Sequence, residues 1–253
     1  MDLGLDGKVA IVGGGSDGIG YGIAEVLARE GAKVAIFARR EPRLGDAAAR
    51  LRAETGADVL AVQGDCGMAA DITRVVATVV EHFGRIDVLV NNDGGPPIAE
   101  IETFDDAAWQ KALERHFFYV VRMVREGLPH LKEAGSGSIL NVVGRVATEP
   151  RAEYGLSVAT WAAVIGYSKT LAKEVGKYNI TVNSLLSGVI ETPRLERSTG
   201  GRTMEERVAR IPLGRIGTTE EFGSVVALLA SARGQYVNGS AIRIDGGLSD
   251  LLA

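Results

Sequence analysis

A glycine-rich turn near the amino terminus has the composition and spacing to bind phosphate groups. In VAIVGGGSDGIGYGIAEVLA, Gly14, Gly18 and Gly20 lie between a β-branched run and a segment of helical periodicity. Such glycines let the backbone approach a pyrophosphate closely, and the amino end of the following helix presents N–H donors to the anion. The order of strand, glycines and helix therefore predicts a dinucleotide site. We also assign to this site Ser16, Asp17 and Ile19.

The end of the next strand indicates which dinucleotide is bound. A site for NAD usually has an acid here, which hydrogen-bonds the ribose 2′-hydroxyl. The segment IFARR instead has the small Ala38 followed by Arg39 and Arg40, whose positive charges suit a 2′-phosphate. We therefore expect NADP, with NAD as the alternative. The two arginines could also be solvated surface residues, as arginines commonly are.

Short apolar runs alternate with longer amphipathic segments along the chain. The runs are KVAIVG, KVAIFA, DVLAVQ, IDVLVN, SILNVV, ITVNSLL and AIRID. Strands this uniformly apolar are buried on both faces, as in a parallel sheet covered by helices. Helices are predicted at Gly20–Arg29, Arg43–Thr55, Asp71–Phe83, Asp106–Leu131, Tyr154–Lys177 and Thr219–Ala230. We expect an α/β fold, a Rossmann-type doubly wound parallel β-sheet flanked by helices, as a single domain over residues 1–253.

Composition argues against several classes of function. The 253 residues have a net charge of -4 with acids and bases interspersed, so no basic stripe favours nucleic acid or an anionic membrane. No apolar run approaches the roughly 18 to 20 residues that span a bilayer, and no signal peptide is recognisable. We therefore expect a cytoplasmic protein. Cys66 is the only cysteine and there are 3 histidines, so we expect neither a disulfide nor a metal site.

Further motifs, taken in order, resemble those of the short-chain dehydrogenase/reductase family. Asp65 in QGDC resembles the acid that hydrogen-bonds adenine, and VNNDGG resembles an Asn-Asn-Ala-Gly element in which Asp93 replaces the alanine. The segment ITVNSLLSGVIETP resembles the one that covers the nicotinamide. The resemblance implies that the dinucleotide site also includes Asp65, Cys66, Asn91, Asp93, Gly94, Trp161, Ile190 and Thr192.

The resemblance also implies where the catalytic residues should lie. In that family a tyrosine exchanges the substrate proton, a lysine four residues on lowers the tyrosine pKa, a serine orients the carbonyl and an asparagine supports a proton relay. These four positions fall, respectively, at Ser157, Trp161, Gly144 and His116. An aliphatic hydroxyl is far too weak an acid to replace an activated phenol, and an indole carries no charge. We therefore expect the usual tyrosine–lysine mechanism to be absent.

Two other side chains could handle a proton in such a pocket. Tyr154 precedes Ser157 by three residues and resembles the tyrosine of the family's enoyl reductases without their lysine, although it could simply pack at the helix entrance. His116 carries an imidazole, the side chain whose unperturbed titration lies nearest neutrality, although a lone histidine is more often structural. We take His116, Tyr154 and Ser157 as the candidate catalytic residues. A polar pocket with different chemistry could also include Asp93, Arg145 and Glu149.

Three functions are compatible with these residues. The first is an atypical NADP-dependent oxidoreductase acting on a small carbonyl, alcohol or enoyl compound, in which His116, Tyr154 or water handles the proton. The second is a catalytically silent dinucleotide-binding or sensor protein. The third is a non-redox lyase or isomerase that uses His116 and Asp93. We favour the first, because a retained segment over the nicotinamide indicates that the nicotinamide is used.

Two expectations concern the periphery of this pocket. The polar segment ETPRLERSTGGRTMEERVAR, residues 191–210, is predicted to be a mobile flap that selects the substrate. Family resemblance implies a homodimer or homotetramer formed through the two long helices, Asp106–Leu131 and Tyr154–Lys177. The other expected partner is a small-molecule substrate.

Overall fold

The structure, a computed structural model, describes residues 2–193, 195 and 203–251 and contains a seven-stranded parallel sheet. The strands are β1 (Val9–Gly13), β2 (Lys33–Ala38), β3 (Val59–Gln63), β4 (Val88–Asn91), β5 (Gly137–Gly144), β6 (Ile180–Ser187) and β7 (Ala241–Ile244). Their spatial order is β3-β2-β1-β4-β5-β6-β7. The order reverses between β1 and β4, the kind of switch point at which open α/β sheets bind ligands. The predicted doubly wound parallel sheet is confirmed.

Helices connect the strands close to where they were predicted. They are α1 (Gly18–Arg29), α2 (Glu41–Thr55), α3 (Ala69–Phe83), α4 (Asp106–Leu113), α5 (Tyr119–Glu133), α6 (Gly155–Val175), α7 (Met204–Val208) and α8 (Thr219–Ala230). The single helix expected over 106–131 is divided by a π-helical turn, Glu114–Phe118, which lies between α4 and α5. None of the described helices is both long and apolar enough to cross a membrane.

Helices cover both faces of the sheet, so the strands are buried on both sides. Successive residues of a strand point to opposite faces. Ile139 of β5 accordingly packs in a core with α3, α5 and α6, whereas its neighbour Leu140 packs in a second core with α1, α2 and α8. This two-sided burial explains why the strands are apolar throughout rather than alternating.

A buried carboxylate joins β1 and β4 at their amino ends, the edge of the sheet opposite the glycine turn. Asp87 accepts hydrogen bonds from the Val9 N–H at 3.0 Å, from Lys8 at 3.1 Å and from two nitrogens of Arg85 at 2.6 and 2.8 Å. Burial alone would raise the pKa of Asp87, but the hydrogen bonds from Arg85, the Val9 N–H and Lys8 lower it overall.

The segment predicted as a substrate flap, residues 191–210, is described in part. Residues 194 and 196–202 lie outside the described residues. In the second half of the segment, α7 begins with a capping box in which Thr203 accepts a hydrogen bond from the Glu206 N–H and the Glu206 carboxylate accepts one from the Thr203 N–H. The mobility of the segment stays a prediction.

Candidate functional site

The glycine turn between β1 and α1 has the geometry of a phosphate cradle. Gly14 and Gly18 have φ angles of +59° and +54°, in the left-handed region that glycine adopts without steric cost. A Cβ atom on Gly20 would overlap the carbonyl oxygen of Gly14. The side chain of Asp17 forms no capping hydrogen bond with α1 within the described part of the chain. The first N–H groups of the helix are therefore left for an anion, and these residues fit a dinucleotide pyrophosphate.

A cleft of about 450 Å³ opens at the carboxyl ends of the central strands. The glycine turn, the loop after β4, the segments after β5 and β6, and the α7 region contribute to its lining. Of the predicted site residues, the lining contains Gly14, Asp17, Gly18, Ile19, Asp93, Gly94, Gly144, Tyr154, Trp161, Ile190 and Thr192. The structure thus brings the glycine turn, the segment expected over the nicotinamide and part of α6 to the lining of one cavity.

A group of arginines follows β2, next to the glycine turn. Arg39 and Arg40 are exposed, and Arg39 lies 4.0 Å from Asp65. Arg43, which was not among the residues predicted from the sequence, donates to the Asp17 carboxylate at 2.8 Å. The sequence did contain a signal for Arg43. Arg40 immediately precedes α2 and Arg43 follows it by three residues, a spacing that places two side chains on the same face of a helix.

Arg115 in the π-helical turn connects three of the predicted cofactor residues. Its two terminal nitrogens bond to the carboxylates of Asp65 and Asp93, at 2.7 and 3.1 Å, and to the Cys66 sulfur at 3.1 Å. Burial would lower the pKa of the guanidinium, but the neighbouring acids raise it overall. Burial raises the pKa of the Cys66 thiol well above its usual range. The carboxylate of Asp93 is therefore paired, and Cys66 is a poor nucleophile.

Trp161 and Gly144, to which the resemblance assigned the family's lysine and serine positions, are in direct contact. A Cβ atom on Gly144 would overlap the indole ring of Trp161. The indole therefore fills the space that a serine side chain at position 144 would need. Trp161 also lines the cleft, and its ring meets that of His116 edge to face, with centroids 6.4 Å apart.

His116 lies in a separate small cavity of about 10 Å³. Asn91, Asp93, Tyr119 and Trp161 are also on the lining of this cavity. Its volume holds about one water molecule. Asp93, Val142, Val143 and Trp161 line both cavities, so the two are neighbours, and His116 itself is not on the cleft lining.

The two remaining catalytic candidates have different environments. Ser157 is only 2% exposed, inside the first turn of α6. Tyr154 lines the cleft as the residue immediately before that turn, so the helix predicted to begin at Tyr154 begins one residue later. The guanidinium of Arg151 lies 5.5 Å from the centroid of the Tyr154 ring.

Several arginines of the cleft lining were missed or only partly anticipated. Arg145 and Glu149, which we grouped in a possible polar pocket, form an ion pair, and Arg145 is buried on the cleft lining. Arg151, Arg207 and Arg210 also line the cleft. The arginines of EPRAEY and ERVAR, one and two respectively, were a weak signal, and only the folded chain shows that these segments meet at one cavity.

Comparisons with known proteins agree with the fold. The family described as enoyl-(acyl carrier protein) reductase matches residues 14–249. The 3-oxoacyl-(acyl-carrier-protein) reductase FabG of Vibrio cholerae is 32% identical over 252 residues, covering 97% of this chain and 99% of that relative. L-sorbose reductase from Gluconobacter frateurii, solved with NADPH and L-sorbose, is 35% identical with a TM-score of 0.95 and full coverage of both chains.

A third similar protein is a short chain dehydrogenase from Burkholderia cenocepacia, solved in complex with NADP. It is 31% identical, with a TM-score of 0.88, and the match covers 96% of this chain and 98% of that one. The family match spans most of the sequence, and the relatives are similar over nearly their whole length. This chain belongs to the short-chain dehydrogenase/reductase family.

Proposed function

We propose that this chain is an NADP-dependent oxidoreductase that acts on a small carbonyl, alcohol or enoyl compound without the family's usual tyrosine–lysine pair. The observation that carries the proposal is the combination of two features in one cleft. The glycine cradle fits a dinucleotide, whereas Trp161, at the position that the resemblance assigns to the family's lysine, packs on Gly144, at the position that it assigns to the serine. The sorbose reductase and the Burkholderia dehydrogenase, which were solved with NADPH and NADP, support the choice of cofactor.

Each part of the cofactor has a group of residues suited to hold it. Gly14, Gly18 and the first N–H groups of α1 would hold the pyrophosphate. Arg39, together with Arg40 and Arg43, would bind the 2′-phosphate. Asp65 is assigned to the adenine, and the nicotinamide is assigned to the segment containing Ile190 and Thr192. When bound, NADP supplies or accepts the hydride.

We assign the proton to Tyr154. Its phenol lines the cleft, and a phenol can both donate and accept a proton. The guanidinium of Arg151, stacked near its ring, would balance the negative charge left on the oxygen. His116 is not on the cleft lining and Ser157 is buried in α6, so both are less suited to reach a substrate in the cleft.

The contact between Trp161 and Gly144 also supports the second candidate, a silent dinucleotide-binding protein. Gly144 has no hydroxyl with which to orient a carbonyl. The apolar ring of Trp161 fills the space that a side chain at position 144 would take. The third candidate, a lyase or isomerase built on His116 and Asp93, has less support. Both residues line the cavity of about 10 Å³, and this cavity has no room for an organic substrate.

The first test is a titration of the purified protein with NADPH and NADH, followed by energy transfer from tryptophan to the nicotinamide. We expect NADPH to bind more tightly than NADH, and absence of binding by both would refute the oxidoreductase and the sensor alike. Trp161 lies in the cleft and provides a nearby donor. We also predict that this indole stacks on the cofactor. Trp161→Ala should then bind NADPH more weakly than the wild type, and tighter NADPH binding in that variant would contradict the stacking.

The second test separates catalysis from silent binding. NADPH oxidation is measured with a panel of small ketones, aldehydes and enoyl compounds for the wild type, for Tyr154→Phe and for the control Tyr178→Phe, whose residue is exposed beyond α6. We expect Tyr154→Phe to reduce turnover by roughly 100-fold or more while NADPH affinity is unchanged. An NADPH-binding wild type that reduces none of these compounds would favour the sensor.

A reversion variant tests whether the rest of the cleft still supports the family's usual chemistry. It combines Gly144→Ser, Ser157→Tyr and Trp161→Lys, because a side chain at position 144 has room only when the indole is removed. New or increased reduction of simple carbonyls would mean that these positions alone suppress the usual mechanism. No gain, with NADPH still bound, would mean that the cavity has changed more widely.

A further inference from the structure

The guanidinium of Arg115 joins two loops at the carboxyl edge of the sheet. Its Nη1 donates to Asp65 Oδ1 at 2.7 Å, in the loop after β3, and its Nη2 donates to Asp93 Oδ2 at 3.1 Å, in the loop after β4. These strands are not neighbours, because β2 and β1 lie between them. The glycine turn follows β1, so a single side chain connects the loops on either side of it in the order of the sheet.

The backbone around Arg115 leaves room for this side chain. The residue lies in the π-helical turn between α4 and α5, and π turns inserted in helices are frequent at functional sites. On the opposite side, a Cβ atom on Gly67 would lie 3.3 Å from the Arg115 Cγ, closer than the roughly 3.5 to 4.0 Å at which carbon atoms pack best. The lack of a side chain at Gly67 therefore lets the guanidinium reach both carboxylates.

Two donors fix the carboxylate of Asp65 in one orientation. Oδ1 accepts from Arg115 and from the Gly67 N–H at 3.0 Å. Oδ2 accepts no hydrogen bond from the residues that the structure describes, and Arg39 lies 4.0 Å from it. Arg39 is assigned to the 2′-phosphate, so Oδ2 faces the adenosine half of the site. A carboxylate oxygen held there suits the adenine amino group, which is a hydrogen-bond donor.

Asp93 lies at the other half of the dinucleotide site. It lines the cleft together with Gly14, Gly94 and Thr192, the last of which belongs to the segment assigned to the nicotinamide. Asp65 and Asp93 would both stand beside a cofactor that is itself an anion. Arg115 carries the opposite charge and bonds to both carboxylates, so it reduces their repulsion of the cofactor and fixes their positions.

We propose that Arg115 is a positioning residue of the dinucleotide site, which holds Asp65 for the adenine amino group and ties its loop to Asp93 in the cleft. The inference rests on the proposed function, because it concerns the cofactor assigned there. Arg115 acts through the two carboxylates and not by its own contact with the cofactor. Its loss should therefore change recognition of the base, whereas recognition of the 2′-phosphate should stay as it is.

The test compares NADPH with NADH and with the deamino analogue of NADPH, in which a carbonyl replaces the adenine amino group. Affinities are measured by energy transfer from tryptophan to the reduced nicotinamide. We expect the wild type to prefer NADPH to the analogue by about tenfold, because a carbonyl cannot donate to Asp65. Arg115→Gln should weaken NADPH and NADH alike, by about tenfold or more, and weaken the analogue less. The preference for adenine should then approach one.

Three further variants separate positioning from charge and from general damage. Arg115→Lys keeps the charge, but one ammonium cannot replace the two-pronged guanidinium, so it should recover part of the affinity and not the preference for adenine. Asp65→Ala should abolish that preference, and Arg115→Gln added to it should lower the preference no further. The matched control is Arg125→Gln on α5, whose side chain is 61% exposed and bonded to Glu126. It should change none of the three affinities.

Several results would overturn the inference. They are a wild type without preference for adenine, an unchanged preference in Arg115→Gln that circular dichroism shows to be folded, and a loss confined to NADPH, which would mean that Arg115 acts through Arg39. Full recovery by Arg115→Lys would also overturn it, because charge alone would then suffice. If Arg115→Gln does not fold, Arg115→Lys decides, and a preserved preference for adenine in that variant is the contrary result.

The inference and the proposed function can fail separately. A wild type that binds no dinucleotide refutes both. A wild type that binds NADPH while the Arg115 variants retain its preference for adenine refutes the inference alone. If the variants respond as expected and no compound is reduced, the role of Arg115 stands and the redox function falls.

Discussion

The two ends of the cleft differ in what their residues must do. At the glycine turn, function depends on backbone geometry: left-handed φ angles at Gly14 and Gly18 and a close approach of Gly20 to a carbonyl. At α6, the proposed function depends on side chains, and there the Trp161 indole packs on Gly144. The comparison teaches that one end of the cleft is specified by backbone conformation, whereas the other is specified by which side chains fill it.

A similar contact between a glycine and an aromatic ring lies next to the glycine turn itself. A Cβ atom on Gly13 would overlap the hydroxyl of Tyr119 and would lie 2.8 Å from the Asn92 carbonyl oxygen. The Tyr119 ring therefore fills space that a larger residue at position 13 would take. Tyr119 is fully buried, and burial raises the pKa of its phenol well above the usual value, so it is poorly suited to donate a proton. Here too, the φ angles of Gly14 and Gly18 stay in the left-handed region.

The largest effect is expected from Gly20→Ala, which breaks the backbone side of the comparison. The added methyl group overlaps the Gly14 carbonyl, so the turn must move. We expect NADPH affinity to fall by about 100-fold or more, measured by fluorescence titration, because the cradle and the amino end of α1 shift together. Gly166→Ala is the matched control, since no neighbouring atom lies within 4 Å of its Cβ position. It should leave binding unchanged. Undiminished binding in Gly20→Ala would refute the role of the close approach.

The next effect is expected from Gly144→Ser, which tests the side-chain end. A serine here meets the Trp161 indole, and overpacking of this kind costs about 1–3 kcal/mol in the free energy of unfolding. Adding Trp161→Lys should recover most of that loss, which urea unfolding of both single variants and the double variant would measure. Simple additivity of the two substitutions would mean that the residues do not compete for the same space.

A smaller effect is expected from Arg39→Ala. Loss of one charge-assisted contact to the 2′-phosphate should weaken NADPH binding by roughly tenfold and leave NADH binding unchanged. NADH serves as the internal control, because it lacks the 2′-phosphate. An equal loss for both cofactors would show that Arg39 acts on the turn as a whole, and no loss for either would make it a surface residue.

The smallest effect on the site is expected from Asp87→Asn, at the opposite edge of the sheet. The folded pKa of Asp87 lies below the unfolded value of about 3.9, so its contribution to stability is complete above that pH and is lost as pH falls through the folded pKa. The variant should therefore show a shallower decline in unfolding free energy on acidification, with NADPH affinity at neutral pH unchanged. If the unfolding free energy of the variant falls on acidification as steeply as that of the wild type, other carboxylates control this pH dependence.

Much of the fold was predictable because its signals are local. The seven apolar runs and the glycine turn lie where the structure has strands and the cradle, since periodicity and missing side chains act within a few residues. The prediction was less accurate where tertiary contacts set helix limits. The helix expected over 106–131 contains a π-helical turn, in which Arg115 bonds across to Asp65 and Asp93, and α6 begins only after Tyr154.

By itself, the sequence determined the parallel α/β fold and the glycine turn, and it predicted a site that includes positions 144, 157 and 161. Only the tertiary structure decided which of these residues meet. It placed Trp161 on Gly144, separated His116 from the cleft, and gathered arginines from distant segments around one cavity. The physical reason is that local pattern specifies an element and its buried face, whereas contacts between side chains far apart in the chain depend on strand order, helix ends and packing.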